Sequence, residues 1–305
     1  MAGAFTHMAV VGNALESFPP GKKFGDILRT YRNFLTLGSV SPDIPYLGHL
    51  ALKGPVWADI MHYYNTNGII NNGVHSLSVA QKKGKDWECQ LAWLAGFIAH
   101  LVADATIHPI VECIAGPYTD ADSRSTHSEC EMIQDVMIFK EVMNIDLVGT
   151  EWTNLLRTCT PHKSFEKVAA FWTNHAKVNC PFVEKFDSGS IIKSYIDELD
   201  TVDSIHGLAA AFRHLGINYV YRTYSDLKKN SPELVDKYYY NVRLPNGRTG
   251  SFKTEGFERS VKHLSDVWSK LDRFLFSIDN IPEIIPNWNL DTGVDQNKNI
   301  VTYWS

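Results

Sequence analysis

The sequence predicts an all-α fold: a multi-helix bundle with a small β-hairpin inserted near the C-terminus. Three observations point there. Apolar residues recur with helical period through most of the 305 residues. Strand-type alternation is confined to one short stretch. Histidines and carboxylates stand four residues apart inside two of the predicted helices, and a helix turns such positions to one face.

Helical periodicity begins over Thr6–Ser17 and Phe24–Leu35. The segment Gly38–Tyr46, GSVSPDIPY, reads as a rigid connector in which Pro42 and Pro45 flank Asp43 and fix its carboxylate. Helices follow over Trp57–Tyr64, Asn71–Lys83, Trp87–Cys113, His127–Met143, Ser164–His175 and Ile191–Lys229, and the last covers Phe257–Phe276. Within Tyr240–Phe252, Val242 and Leu244 alternate with Arg243 ahead of a Pro245–Gly247 turn, the pattern of a hairpin. That hairpin and Ile281–Trp288 read equally as lids or as surface elaboration. The tail after Asp291 is polar and expected to be extended. No repeat or linker divides the chain, so residues 1–305 are read as one domain.

Composition narrows the function. A hydrophobic content of 44% supports a large core. A net charge of -5 argues against a broad basic field and a stable nucleic-acid partner. The longest apolar run, Leu91–Ala99, is too short to span a bilayer, so no transmembrane segment is expected. The N-terminus lacks a basic start and carries His7 in its apolar part, which is not the pattern of a signal peptide. The expectation is a cytoplasmic protein as numbered; the alternative is a secreted one whose signal peptide is already removed. Five cysteines, an odd number without CxxC spacing, do not make a disulfide framework.

The chemistry is concentrated in HLVADATIH, with His100, Asp104 and His108, and in HSECE, with His127 and Glu131. A polar stripe beside LAWLAGFIA is costly to bury unless something pairs with it, and a metal ion does. His7, Asp43 and His62 lie upstream and complete a set of nitrogen and oxygen donors. One zinc takes four ligands, so the set suits two to three zinc ions sharing carboxylates. A di-iron carboxylate bundle would need Glu-x-x-His pairs, and the sequence has none. A structural zinc site would be rich in cysteine and closed. His49, His75, His162, His175, His206, His214 and His263 read as ordinary core or surface residues.

The ordered motifs are Thr6-His7 with Ala14, Ser-Pro-Asp43-Ile-Pro, a helix-borne His62, His100-x-x-x-Asp104 and His127-x-x-x-Glu131. In this order the chain resembles the zinc-dependent phospholipase C family, whose superfamily includes single-strand-specific zinc nucleases. The short step from Asp104 to His108-Pro109, with LDTG at Leu290–Gly293, is similar to the glycosylphosphatidylinositol phospholipase D catalytic-domain branch. The resemblance implies a bundle around a di- or trinuclear zinc site. It implies one zinc on His62, His100 and Asp104, a second on His108, His127 and Glu131, and a third shared by Asp104 and His7. It implies that Asp43 is the general base or a ligand near the nucleophilic water. The implied activity is hydrolysis of a small-molecule or lipid phosphate ester, first of all a phospholipase C-like phosphodiesterase reaction with zinc-activated water. Alternatives are a phosphomonoesterase, a nuclease, or a repurposed centre acting on a specialised small molecule.

The sequence departs from the family at two points. No tryptophan lies near His7 to supply a terminal amine to the third zinc; removal of Met1 would let the Ala2 amine do so. Ile44 stands where choline-headgroup enzymes carry an aromatic residue. Tyr46, Tyr63 and Tyr64 are candidates for lining a substrate pocket, or else core residues.

Overall fold

A computed structural model describes residues 3–47, 54–117, 120–148, 154–183, 186–204, 221–277 and 283–304. Among these residues there are fourteen α-helices, and the strands are short antiparallel pairs near the C-terminus. The first helix, α1, covers Ala4–Ser17. The helix expected over Phe24–Leu35 is broken at Tyr31, where φ is -111° and ψ is 42°, into α2 (Lys23–Thr30) and α3 (Arg32–Val40). The expected connector therefore starts later than its sequence suggests. Gly38–Val40 are still helical, and only residues 41–43 form the turn before α4 (Ile44–Leu47).

Next come α5 (Gly54–Tyr63), α6 (Gly68–Val79) and the long α7 (Lys85–Ala115). The chain continues with α8 (Ala121–Glu141), α9 (Asn154–Arg157), α10 (Phe165–Asn179) and α11 (Ser188–Ser204). Part of the helix expected over Ile191–Lys229 lies outside the described residues; helix resumes as α12 (Tyr224–Asn230) and α13 (Pro232–Val235). The predicted hairpin is present as β1 (Val242–Arg243) against β2 (Thr249–Gly250), with Val242 and Leu244 turned inward. It leads into α14 (Arg259–Phe276).

Helix α7 is the axis of the bundle, and by length and composition it is apolar enough to cross a membrane. Its apolar window is wholly buried in protein, which makes it a core helix. Helix α3 lies against it backbone to backbone. A Cβ on Gly38 would stand 2.0 Å from the Trp93 carbonyl oxygen, and one on Gly96 would stand 2.0 Å from that of Leu35. Only glycine permits this approach.

The segment after Asp291 is not an extended tail. It folds back on β3 (Trp288–Asn289) to form an antiparallel meander with β4 (Val294–Asp295) and β5 (Ile300–Val301). Trp288 and Leu290 are fully buried, and the Trp304 indole donates to the Thr106 carbonyl on α7 at 2.8 Å. Five large apolar or aromatic side chains, Trp288, Leu290, Val294, Tyr303 and Trp304, outweigh the polar residues between them and hold the segment down. In the stretch Ile281–Trp288, Ile281 and Pro282 lie outside the described residues, and Ile284 and Ile285 are buried in the core.

Candidate metal centre

Helix α7 presents His100, Asp104 and His108 along one face, and other elements bring their donors to it. Helix α1 brings His7, with its Nε2 3.2 Å from Asp104 Oδ1. The turn after α3 brings Asp43, and α5 brings His62. His62 Nε2 lies 3.2 Å from Asp43 Oδ1 and 3.9 Å from Asp104 Oδ2. His100 Nε2 lies 3.1 Å from Asp104 Oδ2 and 3.6 Å from Asp43 Oδ1. His108 Nε2 lies 3.4 Å from Asp104 Oδ1 and 4.0 Å from Glu131 Oε1 on α8. The His127 ring is 5.9 Å from that of His108. All eight predicted donors thus converge on one buried cluster. The Ala2 amine lies outside the described residues.

Two triplets have ligand atoms close enough to share an ion: His7 with His100 and Asp104, and Asp43 with His62 and His100. The rings are already aimed. His62 Nδ1 meets the Ala58 carbonyl at 2.7 Å and His100 Nδ1 meets that of Ser39 at 2.9 Å, which leaves each Nε2 toward the carboxylates. The Ser39 contact depends on the close α3–α7 approach through Gly38 and Gly96. The His7 and His100 rings stack at 3.9 Å.

The donor chemistry fits a divalent cation. The side-chain nitrogens of His7 and His108 and both oxygens of Asp43 are buried without a hydrogen bond of good geometry. Burial holds the His108 imidazole well below its usual range and the His127 imidazole down to about 3, so both are neutral donors. Burial raises Asp43, but the His100 and His62 imidazoles outweigh it and hold the carboxyl below the ordinary range. Asp104 is likewise raised by burial and lowered further by His108, His100 and His7. Glu131 is different: burial pushes its carboxyl up to about 8. Metal binding supplies what such a cluster lacks, charge compensation and partners for buried donors.

The tyrosines divide. Tyr46 and Tyr63 flank His62, with ring centroids 5.5 and 6.0 Å away. The Tyr46 hydroxyl donates to Asp59 at 2.7 Å, and Tyr63 neighbours both Tyr46 and Asp291. Tyr64 is exposed and packs its edge against Phe182. Of the histidines read as ordinary, His75 is exposed, His162 and His175 pack against aromatic rings, and His263 stacks on Tyr303. His49, His206 and His214 lie outside the described residues.

Sequence reasoning passed over two residues. Asp135 continues the spacing of four from His127 and Glu131 on α8. Its carboxylate accepts from the Thr6 backbone N–H at 2.8 Å, the Thr6 hydroxyl at 2.6 Å and the Tyr221 hydroxyl at 2.7 Å. It thereby pins the first turn of α1, where His7 sits; the run His-x-x-x-Glu-x-x-x-Asp was the available signal. The other is Asp291: the LDTG motif contains it, but its place beside His108 depends on the fold of the C-terminal segment.

The sequence model of the zinc-dependent phospholipase C family matches residues 6–185. The chain belongs to that family. No curated protein and no solved structure matches it. The matched region carries all eight donors, and family membership supports zinc dependence and hydrolase chemistry of the phospholipase C kind. The meander from Trp288 onward lies beyond it.

Proposed function

We propose that the chain is a zinc-dependent phosphodiesterase that cleaves a phospholipid-type headgroup linkage. The carrying observation is the buried convergence of five imidazoles and three carboxylates on α7, with two triplets already within ligand distance. His62, His100, Asp104 and Asp43 would hold one ion. His108, His127 and Glu131 would hold a second, and His7 with Asp104 a third. Zinc bound there lowers the pKa of a coordinated water and neutralises phosphate charge.

The chain's own residues do the rest. The Ala58 and Ser39 carbonyls fix the ring nitrogens of His62 and His100. Asp43 has two roles open to it, and its position 3.2 and 3.6 Å from two imidazoles favours that of ligand. A carboxyl held so far below neutrality is also a weak general base. Tyr46 and Tyr63 flank His62 and are the candidates to contact the leaving headgroup. Ile44 is fully buried, so the aromatic choline contact of related enzymes has no counterpart at that position. The short step from Asp104 to His108 supports kinship with the glycosylphosphatidylinositol-cleaving branch.

Elemental analysis, paired with turnover of a chromogenic phosphodiester before and after chelation, tests this reading. Two or three zincs per chain with chelator-sensitive turnover are expected. Zinc without turnover of diesters or monoesters would mean a retained centre with another reaction, and iron or no metal would sink the reading.

A further inference from the structure

The ligand imidazoles differ in what faces the nitrogen turned away from the cluster. His62 and His100 direct Nδ1 at backbone carbonyls. His108 directs Nδ1 at a carboxylate, Asp291 Oδ1, at 3.9 Å, while its Nε2 faces Asp104 and Glu131. We propose that Asp291 is the positioning residue for His108: its carboxylate accepts a hydrogen bond from Nδ1–H and so commits Nε2 to the metal. The assignment rests on the zinc reading above and concerns a residue outside the family match.

The turn that carries Asp291, Leu290–Gly293, is anchored on two ligand helices. The Leu290 N–H donates to the His62 carbonyl on α5 at 2.9 Å. Asn289 Oδ1 accepts from the Asp291 N–H at 3.0 Å and stiffens the turn from within. Gly293 adopts φ 66°, and a Cβ there would stand 2.6 Å from the Ala105 carbonyl and 2.7 Å from Pro109 Cγ. Pro109 has no N–H to give the Ala105 carbonyl, so α7 is open to this approach between Asp104 and His108. Tyr63 neighbours the Asp291 carboxylate, whose side chain is only 20% exposed.

The side of the ring decides the role. Asp291 faces Nδ1, whereas the other carboxylates face Nε2, so it cannot share an ion with His108 through Nε2. It can accept a hydrogen bond from Nδ1–H, which fixes the tautomer and makes the imidazole a stronger donor. The 3.9 Å separation is about 1 Å beyond a charge-assisted hydrogen bond, and such bonds shorten when a site is loaded.

The test uses the zinc-loaded full chain titrated with chelators of graded strength, with zinc released per chain as the readout. Asp291→Asn is expected to release one zinc about 10–100-fold more readily, with the rest held as in the wild type. Asp291→Glu should restore most of that grip, and Tyr63→Phe should weaken the same zinc by a smaller factor. Melting of the metal-free chains should be alike. Wild-type zinc release from Asp291→Asn overturns the assignment and leaves the zinc reading standing. So does equal weakening of every zinc with a lower metal-free melting temperature, when Tyr63→Phe shows no selective loss. A wild-type chain that binds no zinc defeats the zinc reading first and this assignment with it.

Discussion

The centre has two unlike halves. Around His62 and His100, imidazole–carboxylate distances run from 3.1 to 3.9 Å, and both rings are locked by backbone carbonyls. Around His108, His127 and Glu131, the nearest imidazole–carboxylate approach to Glu131 is 4.0 Å, and burial pushes that carboxyl up to about 8. The first half is built where α3 and α7 touch through glycines, on short connections. The second is assembled by α8 and by the C-terminal turn, which arrive from distant parts of the chain. A pre-formed half and a half completed on loading are therefore expected to hold metal with different strength and different pH dependence.

The largest effect should come from Asp104, which two of the proposed zincs share and which faces an imidazole of each half, His100 Nε2 at 3.1 Å and His108 Nε2 at 3.4 Å. Asp104→Ala is expected to lower zinc retention in both and to cut phosphodiester turnover by more than ~100-fold, beyond what an outer-shell loss costs. Loss of metal from one half alone in elemental analysis would show that Asp104 is not shared. Next, Gly96→Ala forces a methyl into the Leu35 carbonyl and should cost about 1–3 kcal/mol in denaturant unfolding. It should also loosen zinc in the His62–His100 half, because Ser39 withdraws from His100. Unchanged stability would mean that the helices separate freely there.

The comparison can be sharpened by pH. The Glu131 carboxyl rises from an ordinary 4.5 to about 8 in the metal-free fold. The folded chain then binds the extra proton, so metal-free stability falls as pH climbs from about 4.5 through about 8. Zinc must displace that proton, and uptake by the second half should strengthen about tenfold from about pH 6.5 to about pH 7.5. The carboxylates of the first half are already ionised and should add no such slope; equal slopes in zinc titrations would erase the distinction. The smallest effect is expected from Tyr46→Phe, which removes one hydrogen bond to Asp59 and should cost no more than ~1.5 kcal/mol in unfolding. Zinc content should not move.

Legibility in the sequence followed the range of the interaction. His100, Asp104 and His108 were readable because helical spacing aligns them, and His127 with Glu131 for the same reason. His7, Asp43 and His62 needed the ordered resemblance, since no local rule joins a first helix, a proline-flanked turn and a fifth helix. Apolar periodicity runs across Tyr31, so the break there is not visible in the sequence. The C-terminal meander was missed because its polar turns dominate the pattern, while its burial depends on surfaces of α5 and α7 far away in sequence.

By itself, the sequence determined the helical bundle, the buried character of α7 and the alignment of the candidate donors on α7 and α8, because periodicity and side-chain chemistry are local properties. Only the tertiary structure decided which nitrogen each imidazole turns inward, how closely α3 approaches α7, and that Asp291 stands behind His108. Those are distances between segments remote in the chain, and they exist only once packing has paired the surfaces that carry them.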